Sequence, residues 1–185
     1  MRTARTRNVV ATMLAGVLLA LSSPVIAHAQ SPQSSDPTQS SQIAATSRLK
    51  NRKSGKYLQP VSTANGARVV QQSRDAENHL QLWSTVIYDG FYTFENFEAG
   101  RNLGIDGAST ASGAAAIIAN GSSDLNQDWH RDFGFFDGDT NSFALINRKS
   151  GKCLGISGAS TANGAQAAQF QCDRQAENQA WITAD

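Results

Sequence analysis

From residue 46 onward the apolar residues fall in short runs broken by Gly, Asn, Asp and Ser, with no sustained 3.6-residue pattern. Val86-Ile87-Tyr88, then Asp89-Gly90, then Phe91-Tyr92-Thr93-Phe94 predicts a hairpin with a two-residue turn, because Asp-Gly supplies the positive φ angles needed. Residues 133–146 predict an equivalent hairpin with a longer loop through Asp137-Gly138-Asp139. Ser-Thr-Ala-x-Gly occurs at 62–66, 109–113 and 160–164 and predicts tight turns with glycine in the left-handed position. The pattern is that of an all-β domain.

The same letters come round three times. Asn51-Arg-Lys-Ser-Gly-Lys56 recurs unchanged as Asn147-Arg-Lys-Ser-Gly-Lys152, and Asn96-Phe-Glu-Ala-Gly-Arg101 keeps the Asn, the Gly and the final base. A leucine follows each (Leu58, Leu103, Leu154), then the Ser-Thr-Ala-x-Gly turn, then Gln-x-Trp at 81–83, 127–129 and 179–181. All three tryptophans, Trp83, Trp129 and Trp181, sit in this last motif and are expected to be core anchors. The repeats run over about 46–84, 91–130 and 142–182. Units of that size are too small for separate cores, so three hairpin-rich units closing around a pseudo-threefold axis are expected. Closure would also remove exposed strand edges.

The N-terminal part is different in kind. Residues 1–29 carry Arg2, Arg5 and Arg7, no acid, an apolar stretch too short to span a bilayer, and Ala27-His28-Ala29 before Gln30. That is the pattern of a secretory signal peptide. Residues 30–45 are Ser, Gln and Pro with almost nothing to bury, and predict a flexible leader. Without the first 29 residues the formal charge changes from +1 to −2, and only 17% of the chain is charged. A basic nucleic-acid-binding protein is excluded, and no second apolar run of spanning length occurs in the mature part. A secreted protein of one domain, residues 46–185, is expected as a monomer. Its two cysteines, Cys153 and Cys172, point to a single disulfide in an oxidising compartment, since only His79 and His130 are available there to join them on a metal.

The triple Gln-x-Trp, with Ser-Gly-Lys-Cys-Leu at 150–154, resembles the ricin B-type lectin family, a carbohydrate-binding module, over the whole of residues 46–185. The resemblance implies a β-trefoil of twelve strands with up to three sugar pockets, one per repeat. Cys153 and Cys172 match the positions of an intra-repeat disulfide in that family. Its pockets use an acid just after Cys-Leu, an aromatic two residues before the second Cys, and the Asn-Gln of Asn-Gln-x-Trp. Here the acid position holds Gln59, Gly104 and Gly155, and the aromatic position holds Gln72, Ala119 and Phe170. The Asn-Gln position reads Leu80-Gln81, Asn126-Gln127 and Asn178-Gln179. Repeat one is therefore expected to be structural. Repeat two keeps Asn126 and Gln127, with Asp106 as a displaced acid. Repeat three has Phe170 for stacking, Asn178 and Gln179 for hydroxyls, and Ser157 where repeat two has Asp106, so it is the expected main site.

Other chemistry finds little support. There is no Gly-x-Ser-x-Gly, no His-Glu-x-x-His and no lone cysteine with a histidine partner. Asp137-Gly-Asp139-Thr-Asn141 has the alternate spacing of a calcium loop. Ser142 stands where that loop needs glycine and Arg148 where it needs the bidentate acid, so a hairpin turn is expected and no metal or other cofactor. The sequence thus predicts an exported, non-catalytic lectin-like module for extracellular or cell-surface polysaccharide. The alternative is a degenerate β-trefoil that binds a protein partner or inhibits one.

Overall fold

A computed structural model describes residues 42–185. The signal peptide at 1–29 and most of the leader at 30–45 lie outside the described residues. The first repeat contains strands β1 (Gln42–Asn51), β2 (Tyr57–Pro60), β3 (Val69–Gln72) and β4 (Trp83–Tyr88). The second contains β5 (Phe91–Asn96), β6 (Arg101–Ile105), β7 (Ala116–Ala119) and β8 (Trp129–Asp132). The third contains β9 (Phe143–Asn147), β10 (Cys153–Ile156), β11 (Ala167–Phe170) and β12 (Ala180–Ala184).

Six strands pair in a closed ring, β1-β4-β5-β8-β9-β12 and back to β1. The other six form three hairpins, β2-β3, β6-β7 and β10-β11, joined by the bridges Arg68↔Ile117, Val70↔Gln166 and Ala115↔Ala168. This is the twelve-stranded β-trefoil. Barrel and hairpins enclose one core in which Trp83, Trp129 and Trp181 are fully buried beside Leu58, Leu103 and Leu154. Each indole N–H donates to the backbone carbonyl of its own repeat's leucine, at 3.0, 3.0 and 2.9 Å. The tryptophan thereby buries a large apolar surface without leaving its one donor unmet.

The β4-β5 hairpin has the Asp89-Gly90 turn, with φ of +51° and +75°. Two boundaries differ from the sequence reading. β1 begins at Gln42 rather than 46, because its first residues pair with Thr85, Val86 and Ile87 of the long strand β4. The hairpin read at 133–146 is β8-β9, whose first strand ends at Asp132. Residues 133–142 form a loop, since Phe135 and its neighbour Phe136 are both buried against Ala144, Cys153 and Ala180. A strand, which turns successive side chains to opposite faces, could not bury both there. Cys153 and Cys172 form the disulfide, 19 residues apart with Cα atoms 5.0 Å from each other, beneath this aromatic pair. Closing that loop contributes roughly 3 kcal/mol in the loop-entropy model.

The repeated polar letters hold one repeat to the next. The amides of Asn51, Asn96 and Asn147 donate to the carbonyls of Asn178, Leu80 and Asn126, each in a different repeat, at 2.9, 2.8 and 2.9 Å. Fully buried Gln71 and Gln169 each donate to two carbonyls of a Ser-Thr-Ala turn from another repeat, Ser160 and Ala162 for the first, Ser109 and Ala111 for the second. Their oxygens accept from Ser54 and Ser150 at 2.7 Å. The second repeat replaces both members of this pair with apolar residues, Ala99 and Ile118. Gln169→Ala would strand two carbonyls and a hydroxyl, and is predicted to cost ~2–4 kcal/mol, against ~1 kcal/mol for Ser150→Ala. Urea denaturation measures both; a Gln169→Ala protein as stable as the parent would remove this lock from the account of stability.

Candidate functional site

In each repeat a short 3₁₀ turn precedes the tryptophan strand: His79–Gln81, Leu125–Gln127 and Glu177–Gln179. It packs against the first strand of that repeat's hairpin, so the hairpin, the turn and the loop between them frame three equivalent places on the surface. The glutamine of Gln-x-Trp is the post of each frame. Gln179 donates to the Gln171 carbonyl at 3.0 Å and accepts from the Asp173 N–H at 3.1 Å. Gln127 donates to the Asn120 carbonyl and accepts from Ser122 N–H and the Asn102 amide. Gln81 does the same with Ser73 and Asp75, and also donates to the Gln59 side chain at 2.9 Å. All three are buried, and their bonds go to the loop that follows β3, β7 or β11 and, for Gln127 and Gln81, also to a side chain of the facing strand.

The asparagines are less fully committed. Asn126 and Asn178 donate to the carbonyls of Ile105 and Ile156 at 3.1 and 3.0 Å. That bond sets Asn126 beside Asp106 and Asn178 beside Ser157, the next residue in each case. Asp106 is exposed and Ser157 half-buried. The Asn126 Oδ1 atom is buried and has no partner among the described residues. Phe170 lies at the opposite end of its hairpin, half-buried, across the ladder from Cys153. Gln179 reaches Phe170's neighbour Gln171, while Asn178 reaches the far end of β10, so the third-repeat residues are spread along a surface rather than gathered at one point.

Gly104 and Gly155, where the family pattern has an acid, have a steric explanation. A Cβ on Gly155 would lie 2.9 Å from Gln179 Cγ and 3.3 Å from the Asn178 carbonyl, and one on Gly104 would lie 3.1 Å from Gln127 Cγ. In repeats two and three the turn closes directly onto the strand and leaves no space for a carboxylate. Gly155→Asp is predicted to destabilise by ~1–3 kcal/mol through overpacking, whereas Gly158→Asp, with open space around it, is governed only by its positive φ. A thermal melt of Gly155→Asp unchanged from the parent would show that the turn can move away and that the pocket is adaptable.

Repeat one is built differently. Its turn is as long as that of repeat three, with Gln81 six residues after Asp75 and Gln179 six after Asp173, but its asparagine stands two places earlier, at Asn78, and Gln59 takes the place of the glycine. Beside Gln59 an open cavity of about 500 Å³ lies between hairpin, turn and loop, lined by Gln59, Gln72, Arg74, Asp75, Asn78 and Gln81 among others. Asn78 accepts from Leu80 N–H at 3.0 Å and donates to Gln59 at 3.4 Å. The sequence reading takes this repeat as structural because it lacks the acid, the aromatic and the asparagine, Gln59, Gln72 and Leu80 standing in their places. The signal for Asn78 was the tripeptide Ala-Glu-Asn, shared by 76–78 and 176–178. Asp75 supplies, from the loop, a carboxylate that the strand position lacks.

The loop at 137–141 is held by its own acid. Asp139 accepts from the Asn141 and Ser142 N–H groups and the Ser142 hydroxyl, and pairs with Arg52 at 3.0 Å. The Ser142 hydroxyl foremost, then the Asn141 N–H, hold its pKa below the usual carboxylate value. Among the described residues no three His, Cys, Asp or Glu side chains converge as metal ligands.

The family model of the ricin-type beta-trefoil lectin domain matches residues 45–181. Among solved structures the chain is similar to ThreeFoil, a designed threefold-symmetric protein, with 34% identity, a TM-score of 0.69 and 76% of this chain and 98% of that one covered. It is similar to the exo-beta-1,3-galactanase 1,3Gal43A of Clostridium thermocellum, with 26% identity and a TM-score of 0.69, over 77% of this chain but 31% of the enzyme. The ricin B-like lectin of Macrolepiota procera, solved in complex with lactose, shares the fold at 19% identity and a TM-score of 0.66, over 77% of this chain and 96% of the lectin. No sequence among curated proteins gives a significant match.

Proposed function

The chain belongs to the ricin-type β-trefoil lectin domain family, and we propose that it acts as an exported, non-catalytic module that holds polysaccharide. The observation that carries this reading is the repeat-one cavity. Its volume of about 500 Å³ is in the range of a small-ligand site, and polar side chains converge on it as hydroxyl recognition requires. The Gln72 amide and the Arg74 guanidinium donate, the Asp75 carboxylate accepts, and Asn78 and Gln81 hold the floor. Repeat three offers a second, shallower surface, with Phe170 for the C–H face of a ring and Asn178 and Ser157 beside its far end. The exposed Asp106, beside Asn126, makes a third.

None of the three combines an aromatic platform with a charged acceptor. Affinity for one sugar unit is therefore about millimolar, and useful retention needs a polymer that engages several subsites together. The galactanase whose trefoil portion is similar makes β-1,3-galactan a natural first probe, with lactose as the small one. Affinity electrophoresis in gels with and without the polysaccharide tests the reading. Asn78→Ala and Asp75→Ala are each predicted to weaken retention about tenfold, the worth of a lost charged or buried hydrogen bond. Phe170→Ala is predicted to weaken it less. Loss with Phe170→Ala alone would move the main site to repeat three, and a parent protein that no polysaccharide retards would favour a trefoil that binds a protein partner instead.

Export rests on residues 1–29. Expressed with its full N-terminus in a secreting host, the protein is predicted to appear in the medium beginning at Gln30, as read by N-terminal sequencing. Intact chain retained inside the cell would contradict this assignment.

A further inference from the structure

At the open end of the barrel, away from the hairpins and their sugar surfaces, the strands contribute one more inward layer below the tryptophans. Two residues after each tryptophan stand Thr85, Arg131 and Thr183, and four before each motif asparagine stand Ser47, Tyr92 and Phe143. Five of these six line a cavity of about 350 Å³, and Phe143 lies under the Arg131 guanidinium, whose Cζ is 4.1 Å from the ring centre. The layer above is apolar, built from Leu49, Phe94 and Leu145. The lower layer is hydroxyl-lined, with a single cation.

Arg131 is held but not satisfied. Tyr92 and Phe133 flank it at 5.2 and 4.9 Å, and one terminal nitrogen donates to the Thr183 hydroxyl at 2.9 Å. Its Nε is buried and has no partner, and no carboxylate lies within ion-pair distance among the described residues. Burial draws its pKa below the usual arginine value, although a guanidinium remains cationic at neutral pH. A partly desolvated cation with an unmade bond costs stability. The fold does not demand it, because both equivalent positions are threonine. Three aromatic rings also fix the guanidinium in place, so little ordering entropy remains to be lost on binding.

We propose that this end of the barrel is a separate binding site, for a small hydroxy-carboxylate of the uronic-acid class. Arg131 takes the carboxylate through its free terminal N–H groups. The hydroxyls of Ser47 and Thr85 bond the ligand's own hydroxyls, and Ile87 and Tyr92 wall its apolar side. Asp185 is the one acid on the rim; it is exposed, and it opposes the anion rather than supporting it. The site is independent of the hairpin surfaces and stands or falls apart from them.

Titration of the purified ¹⁵N-labelled protein with galacturonate, following the Arg131 Nε–H resonance by NMR, tests the proposal. The resonance is identified by its absence in Arg131→Thr, a variant that places in repeat two the residue both other repeats carry. A saturable shift is expected with galacturonate and none with galactose. Arg131→Thr and Thr85→Val should weaken binding, the former by about tenfold or more, Asp185→Asn should strengthen it, and none should alter retention by polysaccharide. No saturable shift, an equal response to sulfate, or binding unchanged in Arg131→Thr would each overturn the assignment; equal response to sulfate would mean an adventitious ion only.

Discussion

Asn51, Asn96 and Asn147 each complete a turn that belongs to another repeat, and this exchange underlies the rest of the structure. Each side chain is buried, donates to a carbonyl of that repeat's 3₁₀ turn, and accepts an N–H from its own Ser/Ala-Gly turn. A single repeat therefore holds an asparagine with no acceptor and a turn with no donor. Buried polar groups left in that condition cost ~1–3 kcal/mol each. Only three repeats in a ring satisfy all of them at once. The tryptophans follow the same logic, since each finds its carbonyl within its repeat but its apolar surroundings only in the common core.

Threefold closure fixes the scaffold and leaves the surface free to diverge. Gln71 and Gln169 lock their turns with polar bonds, whereas Ile118 occupies the third position opposite Ala99 with no polar pair. The same freedom distinguishes the places between hairpin and turn. With glycine at 104 and 155 the turn packs directly onto the strand, and with Gln59 there a side chain bridges strand and turn and an open cavity lies beside it. At the other end of the barrel the freedom has been used once more, with arginine in one repeat and threonine in two. Departures from symmetry are where this molecule differs from a purely structural trefoil, because they cost bonds or packing that the symmetric solution would keep.

The all-β class, the threefold order and the tryptophan strands were legible in the chain because they are local or repeated. Asp89-Gly90 fixes a turn within four residues, and letters that recur in register identify equivalent positions without coordinates. The disulfide was legible for want of any other partner. The loop at 133–142 was not, because Phe135 and Phe136 look like strand residues until a second small cluster over Cys153 is available to bury both. The place of Asn78 in repeat one was not legible either. Asn78 stands two places before the asparagine position, which Leu80 fills, and only the backbone path shows that its side chain returns to Gln59.

The sequence alone thus determined what depends on periodicity and short-range stereochemistry: strands, turns, the number of repeats and the family they resemble. The tertiary structure decided what depends on the distance between residues far apart in the chain. It showed why glycine stands where an acid would fit the family pattern, since the space belongs to Gln127 and Gln179. It also brought Thr85, Arg131 and Thr183, from three different repeats, to one end of one barrel. Side-chain chemistry is written in the chain, but whether a buried donor has a partner is a property of the packed whole.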